Sequence, residues 1–129
     1  MKIRDILNKD TATISFEVFP PKKSTDFGNV EAAALGIAAL QPAYMSVTYG
    51  AGGSTKGHTI ALAEEIQKKH NVPTVAHLTC VCADRSSIGA ALTEMQAAGI
   101  ENILALRGDL PKDFDGEVFT DFTLSLIHI

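Results

Sequence analysis

Four polar residues recur along this chain at nearly constant intervals. Glu17, Thr48, His77 and Arg107 follow one another about every 30 residues, the length of one βα unit, each at or near the end of a short apolar run. A carboxyl, a hydroxyl, an imidazole and a guanidinium brought together can transfer protons and hydrogen-bond a polar ligand. Glu17 poses the sharpest question. It lies in "SFEVFPPKK" (15–23), between two phenylalanines and just ahead of two prolines. An unpartnered carboxylate in an apolar interior is strongly destabilising, so this one is expected to face a site.

Other stretches carry weaker chemistry. In "HLTCVCADR", a disulfide between Cys80 and Cys82 would be strained. With His77 they would make three zinc ligands, but no fourth is near and the spacing fits no common site, so small buried or loop thiols are expected. "TYGAGGSTKGHT" (48–59) is neither a P-loop nor a G-x-G-x-x-G fingerprint. It reads as a flexible loop, or as one whose glycines admit a flat ligand beside Thr48 and Tyr49. "LRGD" (106–109) reads as a charged loop with an internal ion pair, or as part of a site. The plain reading of His77 is a core histidine with a satisfied hydrogen bond. No Ser/His/Asp nucleophile motif is apparent.

These residues need elements to hold them. Four segments read as strands: 13–19, 44–49, 73–79 and 101–107. Helical patterns fill 29–40, with Asn29 as a possible cap, then 56–69 after Ser54 and Thr55, and 86–98, opened by Ser86 or Ser87 and closed by Gly99. A short helix at 3–8 precedes them. Strands that recur at this interval with helices between them run parallel, as βα units do.

The period of two then sorts the faces. Ile14, Phe16 and Val18 oppose Thr13, Ser15 and Glu17, and Met45 and Val47 oppose Ser46 and Thr48. Ala76 and Leu78 oppose Val75 and His77. In the fourth strand, Leu104 and Leu106 are set against Ile103, Ala105 and Arg107, with Asp109 continuing that parity. One face is apolar and the other turns polar toward the strand C-termini. A doubly wound sheet would bury those polar groups, whereas a barrel opens them to its C-terminal mouth. The expected fold is α/β: a (β/α)8 TIM barrel, truncated after about four βα units.

Composition sets the outer bounds. The chain has 129 residues, 46% hydrophobic and 20% charged, as in an ordinary globular domain. A net charge of −4 gives no footprint for nucleic acid or an anionic membrane. The longest apolar run, "AAALGIAALQP", is too short to span a bilayer, and "MKIRDILNKD" lacks a secretory h-region. A cytoplasmic protein is expected.

Taken together, "SFEVFPPK", "VTYGAGGS", "AHLTC" and "ALRGD", in this order and spacing, resemble the amino-terminal half of the methylenetetrahydrofolate reductase family, from about residue 13 to 123. The resemblance implies an eight-stranded βα barrel. It implies a flavoprotein that uses FAD and NAD(P)H to reduce 5,10-methylenetetrahydrofolate to 5-methyltetrahydrofolate, and it allows a homo-oligomeric full-length protein. By this resemblance Glu17 is the general acid that promotes opening of the folate's five-membered ring. Thr48, Tyr49 and Ala51 would contact the flavin and the nicotinamide stacked on it. His77, Arg107, Gly108 and Asp109 match FAD-binding positions. Asp109 would also hold the pterin, and its charge would favour hydride donation.

The pattern breaks after "FTDFT". "LSLIHI" (124–129) matches the translation of a transposon-end sequencing adaptor. Residues 1–123 are therefore expected to be the front half of the barrel domain, 124–129 a foreign scar, and the fragment alone inactive. A reading from another class remains open: a metal-dependent barrel lyase or hydrolase with Glu17, His77 and Asp109 as ligands.

Overall fold

A computed structural model describes residues 1–8, 11–21, 23–50, 55–81 and 83–109. Ala51, Cys82 and the segment 124–129 lie outside the described residues, as does Ser54. The chain opens with α1 (Ile3–Leu7) and then alternates: β1 (Ser15–Val18), α2 (Phe27–Ala38), β2 (Tyr44–Val47), α3 (Lys56–His70), β3 (Thr74–Thr79), α4 (Arg85–Ala97) and β4 (Asn102–Leu106). A single 3₁₀ turn, Ser24–Asp26, leads into α2. The strands form one parallel sheet in the order β1-β2-β3-β4.

Sequential order with no reversal is the winding of a βα barrel wall, whereas a doubly wound sheet reverses at a switch point. The core agrees. Val18, Met45, Val47, Ala76 and Leu78 share one face and are buried against Ala34 and Ala38 of α2, Leu62 and Ile66 of α3, and Ala91 and Met95 of α4. Three helices therefore cover the same side. Glu17, Ser46 and His77 stand on the other.

Local chemistry explains the helix ends. Asp84 caps α4: its carboxylate accepts from the Ser87 amide at 2.7 Å, and the Ser87 hydroxyl accepts from the Asp84 amide at 3.0 Å. At the far end, the Gly99 amide donates to the Gln96 carbonyl and the Ile100 amide to that of Met95, a Schellman closure with Gly99 at φ +73°. The anticipated caps shift accordingly. Asn29 lies inside α2, which begins earlier, at Phe27, and the Ser86/Ser87 start of α4 gives way to Asp84. On α3, Lys68 and Lys69 pair with Glu64 and Glu65 one turn back, which suits a helix C-terminus.

The fourth strand corrects the face assignment. Its register pairs Ala76 with Ile103 and His77 with Leu104, so Leu104 and Leu106, not Ile103 and Ala105, share the face of Glu17 and His77. Asn102 is the one polar residue within β4, and it pairs with Val75 on the face of His77, whereas Arg107 and Asp109, which set the expected parity, are not part of the strand. Arg107 and Asp109 lie beyond the strand end.

Candidate active site

The polar face of the sheet gathers three side chains from three neighbouring strands. Glu17 and Ser46 are register partners on β1 and β2, and the Ser46 hydroxyl donates to Oε2 of Glu17 at 3.3 Å. From β3, Nε2 of His77 stands 3.5 Å from the same oxygen. The ladder fixes the backbone of β2 and β3 on both sides and that of β1 along its β2 side, which holds these positions.

His77 is 8% exposed, while the Glu17 side chain is 46% exposed. Burial pushes the His77 pKa down, and the carboxyl of Glu17 opposes it with a smaller upward pull. The ring is therefore held toward its neutral form, and the contact is an imidazole beside a carboxyl rather than a strong ion pair. Nε2 of His77 is buried and completes no hydrogen bond. An orphaned ring nitrogen on the site face is unlike the satisfied core histidine that is the plain reading.

These residues line a cleft of about 560 Å³, a size that suits a small organic ligand. The cleft does not reach the C-terminal mouth expected for these groups: none of its lining residues lies beyond Glu17, Ser46, His77 or Leu104 on its strand. It runs down to Tyr44 and Asn102, and Lys2, Ile3 and Arg4 close its lower end. Asn102 latches that segment: its Oδ1 accepts from the Ile3 amide at 2.9 Å, and its Nδ2 donates to the Met1 carbonyl at 3.1 Å.

Thr48, Tyr49, Arg107, Gly108 and Asp109 do not line this cleft. Thr48 follows β2, its amide bonded to the Val18 carbonyl at 3.0 Å and its own carbonyl held by the Thr59 hydroxyl at 2.9 Å. Tyr49 packs against the helix-side core, and burial, aided by Glu94, raises its hydroxyl pKa. The Gly50 amide donates to Oγ1 of Thr55 at 2.6 Å. The residue that opens α3 thus grips the start of the glycine loop.

The run at 107–109 departs from an internal ion pair. Arg107 Nε donates to the Gly108 carbonyl at 3.3 Å, and among the described residues no Arg107–Asp109 bridge forms. Gly108 adopts φ +86°, and a Cβ there would sit 2.6 Å from Val81 Cγ1. Glycine is needed so that this turn can close over the end of β3.

Glu17, His77 and Asp109 do not assemble as a metal set, and the set with Cys82 lies outside the described residues. Asp109 is absent from the cleft holding Glu17 and His77, and among the described residues no three His, Cys, Asp or Glu side chains gather as ligands. Cys80 is a buried free thiol whose pKa burial raises. Ser46 is the site residue that sequence reasoning missed; its signal was its place on the same face as Thr48.

A singly wound parallel sheet with an acid, a hydroxyl and an imidazole on its uncovered face defines a βα protein with a candidate site for a polar small molecule. The methylenetetrahydrofolate reductase family model matches residues 2–128, and the chain belongs to that family. It is 40% identical over 119 residues to methylenetetrahydrofolate reductase 2 of Schizosaccharomyces pombe, covering 89% of this chain and 19% of that protein. It is 36% identical over 114 residues to methylenetetrahydrofolate reductase (NADH) 1 of Arabidopsis thaliana, covering 88% and 19%. With 5,10-methylenetetrahydrofolate reductase of Pectobacterium carotovorum it shares 32% over 116 residues, covering 85% and 39%. The chain thus spans about a fifth to two fifths of these relatives. Among the described residues no helix is long and apolar enough to cross a membrane.

Proposed function

We propose that this chain supplies the first βα units of a TIM-barrel oxidoreductase, soluble in the cytoplasm, that reduces 5,10-methylenetetrahydrofolate to 5-methyltetrahydrofolate with NAD(P)H. The observation that carries the reading is the convergence of Ser46 and His77 on the carboxyl of Glu17, on a face the helices leave uncovered. A buried, unpartnered His77 nitrogen on that face fits a polar ligand such as a flavin. When bound, FAD supplies the hydride relay from the nicotinamide to the folate.

The protein's own part is acid chemistry and positioning. Glu17 delivers a proton to a ring nitrogen of the folate, the C–N bond to the bridging carbon breaks, and the resulting iminium accepts a hydride. Net, one hydride and one proton enter, and NAD(P)H leaves as NAD(P)⁺. His77 would offer Nε2 to the flavin. Thr48, Tyr49, Ala51, Arg107, Gly108 and Asp109, which match the family's cofactor-binding motifs, would hold it from outside the cleft, and Asp109 would also hold the pterin.

Glu17→Gln tests the reading in the intact protein. Flavin reduction by NAD(P)H should stay near wild type, whereas reoxidation by the methylene folate should fall by about 10²–10⁴, the usual worth of a general acid. Stopped-flow measurement of both half-reactions decides. Equal losses in the two would remove Glu17 from the acid role.

A further inference from the structure

We propose that Ser46 is a positioning residue for Glu17: its hydroxyl fixes Oε2 of the carboxyl, leaving Oε1 as the oxygen that meets the substrate. This rests on the reading of Glu17 as the acid. Three observations carry it. Ser46 lies directly beside Glu17 in the ladder and donates to Oε2 at 3.3 Å. His77 Nε2 approaches the same oxygen at 3.5 Å. Oε1 has no hydrogen-bond partner among the described residues. Both neighbours thus crowd one oxygen, and the carboxyl is asymmetric before any ligand arrives.

The choice of serine is chemically specific. A hydroxyl donates to a carboxylate and, after rotation, accepts from a carboxylic acid. Ser46 can therefore hold Glu17 in both protonation states, as a group that loses and regains a proton in every turnover requires. A lysine or arginine at 46 would favour the carboxylate alone, and an alanine would let the half-exposed side chain swing.

The test compares Ser46→Ala and Ser46→Thr in the intact protein, with Glu17→Gln alongside. Threonine keeps the hydroxyl and suits a strand. Two readouts are used. NMR of the His77 ring reports where the carboxyl sits, because Glu17 is the charged group that raises the ring's pKa. In Ser46→Ala the ring should titrate lower than wild type, and in Ser46→Thr it should match wild type. The half-reactions report the consequence: Ser46→Ala should slow the folate step about tenfold, the worth of one hydrogen bond, with flavin reduction unchanged, and Ser46→Thr should restore it.

An unchanged His77 titration together with an unchanged folate step in Ser46→Ala would overturn the proposal. So would a loss in both half-reactions that threonine fails to rescue, since that is the mark of a packing role. If Glu17→Gln leaves the folate step intact, the acid reading falls and the proposal with it. If Glu17→Gln slows that step and Ser46→Ala does not, the proposal alone falls.

Discussion

His77 is pulled in two directions, and the balance can be measured. Burial lowers its pKa and the carboxyl of Glu17 raises it, with burial the larger. Glu17→Gln removes the upward pull and leaves burial alone, so the ring should titrate lower in that variant. A ¹H–¹³C NMR titration of the ring checks this, and an unchanged or higher pKa would mean that Glu17 does not act on it. Glu17 and His77 were legible in the sequence because a polar residue in an apolar strand marks a face. Ser46 was not, for a geometric reason. Equal spacing along the chain points from Glu17 to Thr48, but the ladder between β1 and β2 pairs Glu17 with Ser46, which comes just before it on the same face. Between β3 and β4 the ladder likewise falls short of the repeat, so His77 meets Leu104 rather than Arg107. Connection lengths set register, and they are not fixed by a repeat.

At the scale of elements, all four strands and the helices between them follow from hydrophobic period and punctuation. The strand spans of 13–19, 44–49, 73–79 and 101–107 contract to Ser15–Val18, Tyr44–Val47, Thr74–Thr79 and Asn102–Leu106, a difference confined to ends. Faces were readable in β1 to β3, and in β4 only Asn102 marked the site face, a signal that the parity of Arg107 and Asp109 beyond the strand contradicts. The turn after β4 is the least forgiving joint. Gly108 combines φ +86° with no room for a Cβ, blocked by Val81 Cγ1 at 2.6 Å and Thr79 Cβ at 3.0 Å. Gly108→Ala meets both obstacles, a left-handed backbone worth about 1–3 kcal/mol and overpacking worth about 1–3 kcal/mol. The expected result is a loss of a few kcal/mol in urea unfolding of the intact protein, with the 106–109 turn displaced from β3. A loss below about 0.5 kcal/mol, the scale of an ordinary surface change, would show that the turn does not close on β3 as described.

For the whole molecule, the same buried histidine ties stability to acidity. Above its ordinary pKa of 6.5, the His77 ring is neutral in folded and unfolded chains alike, and pH has no leverage through it. Below that value the unfolded chain takes up a proton that the folded ring resists, because its folded pKa is depressed. The unfolded state then binds more protons, so stability falls as pH falls through this window, and the fall ends once the folded ring is protonated too. A second window opens lower. Asp84 is held below its ordinary 3.8 by hydrogen bonds from Ser87, Glu65 below 4.5 by Lys69, and Glu101 below 4.5 by the N-terminal amine. Their stabilisation is present above those values and lost as pH drops through the depressed ones. All three are exposed, so water and salt screen them and their share of the slope is small. Urea unfolding across a pH series should therefore show a decline that begins near pH 6.5 and is separate from the carboxylate decline below about pH 4.5. His77→Gln should flatten the upper decline while leaving the lower one, whatever its effect on absolute stability. A wild-type profile already flat from pH 6.5 down to 4.5 would mean that His77 is not desolvated on folding, and the polar face would then be wetter than its geometry implies.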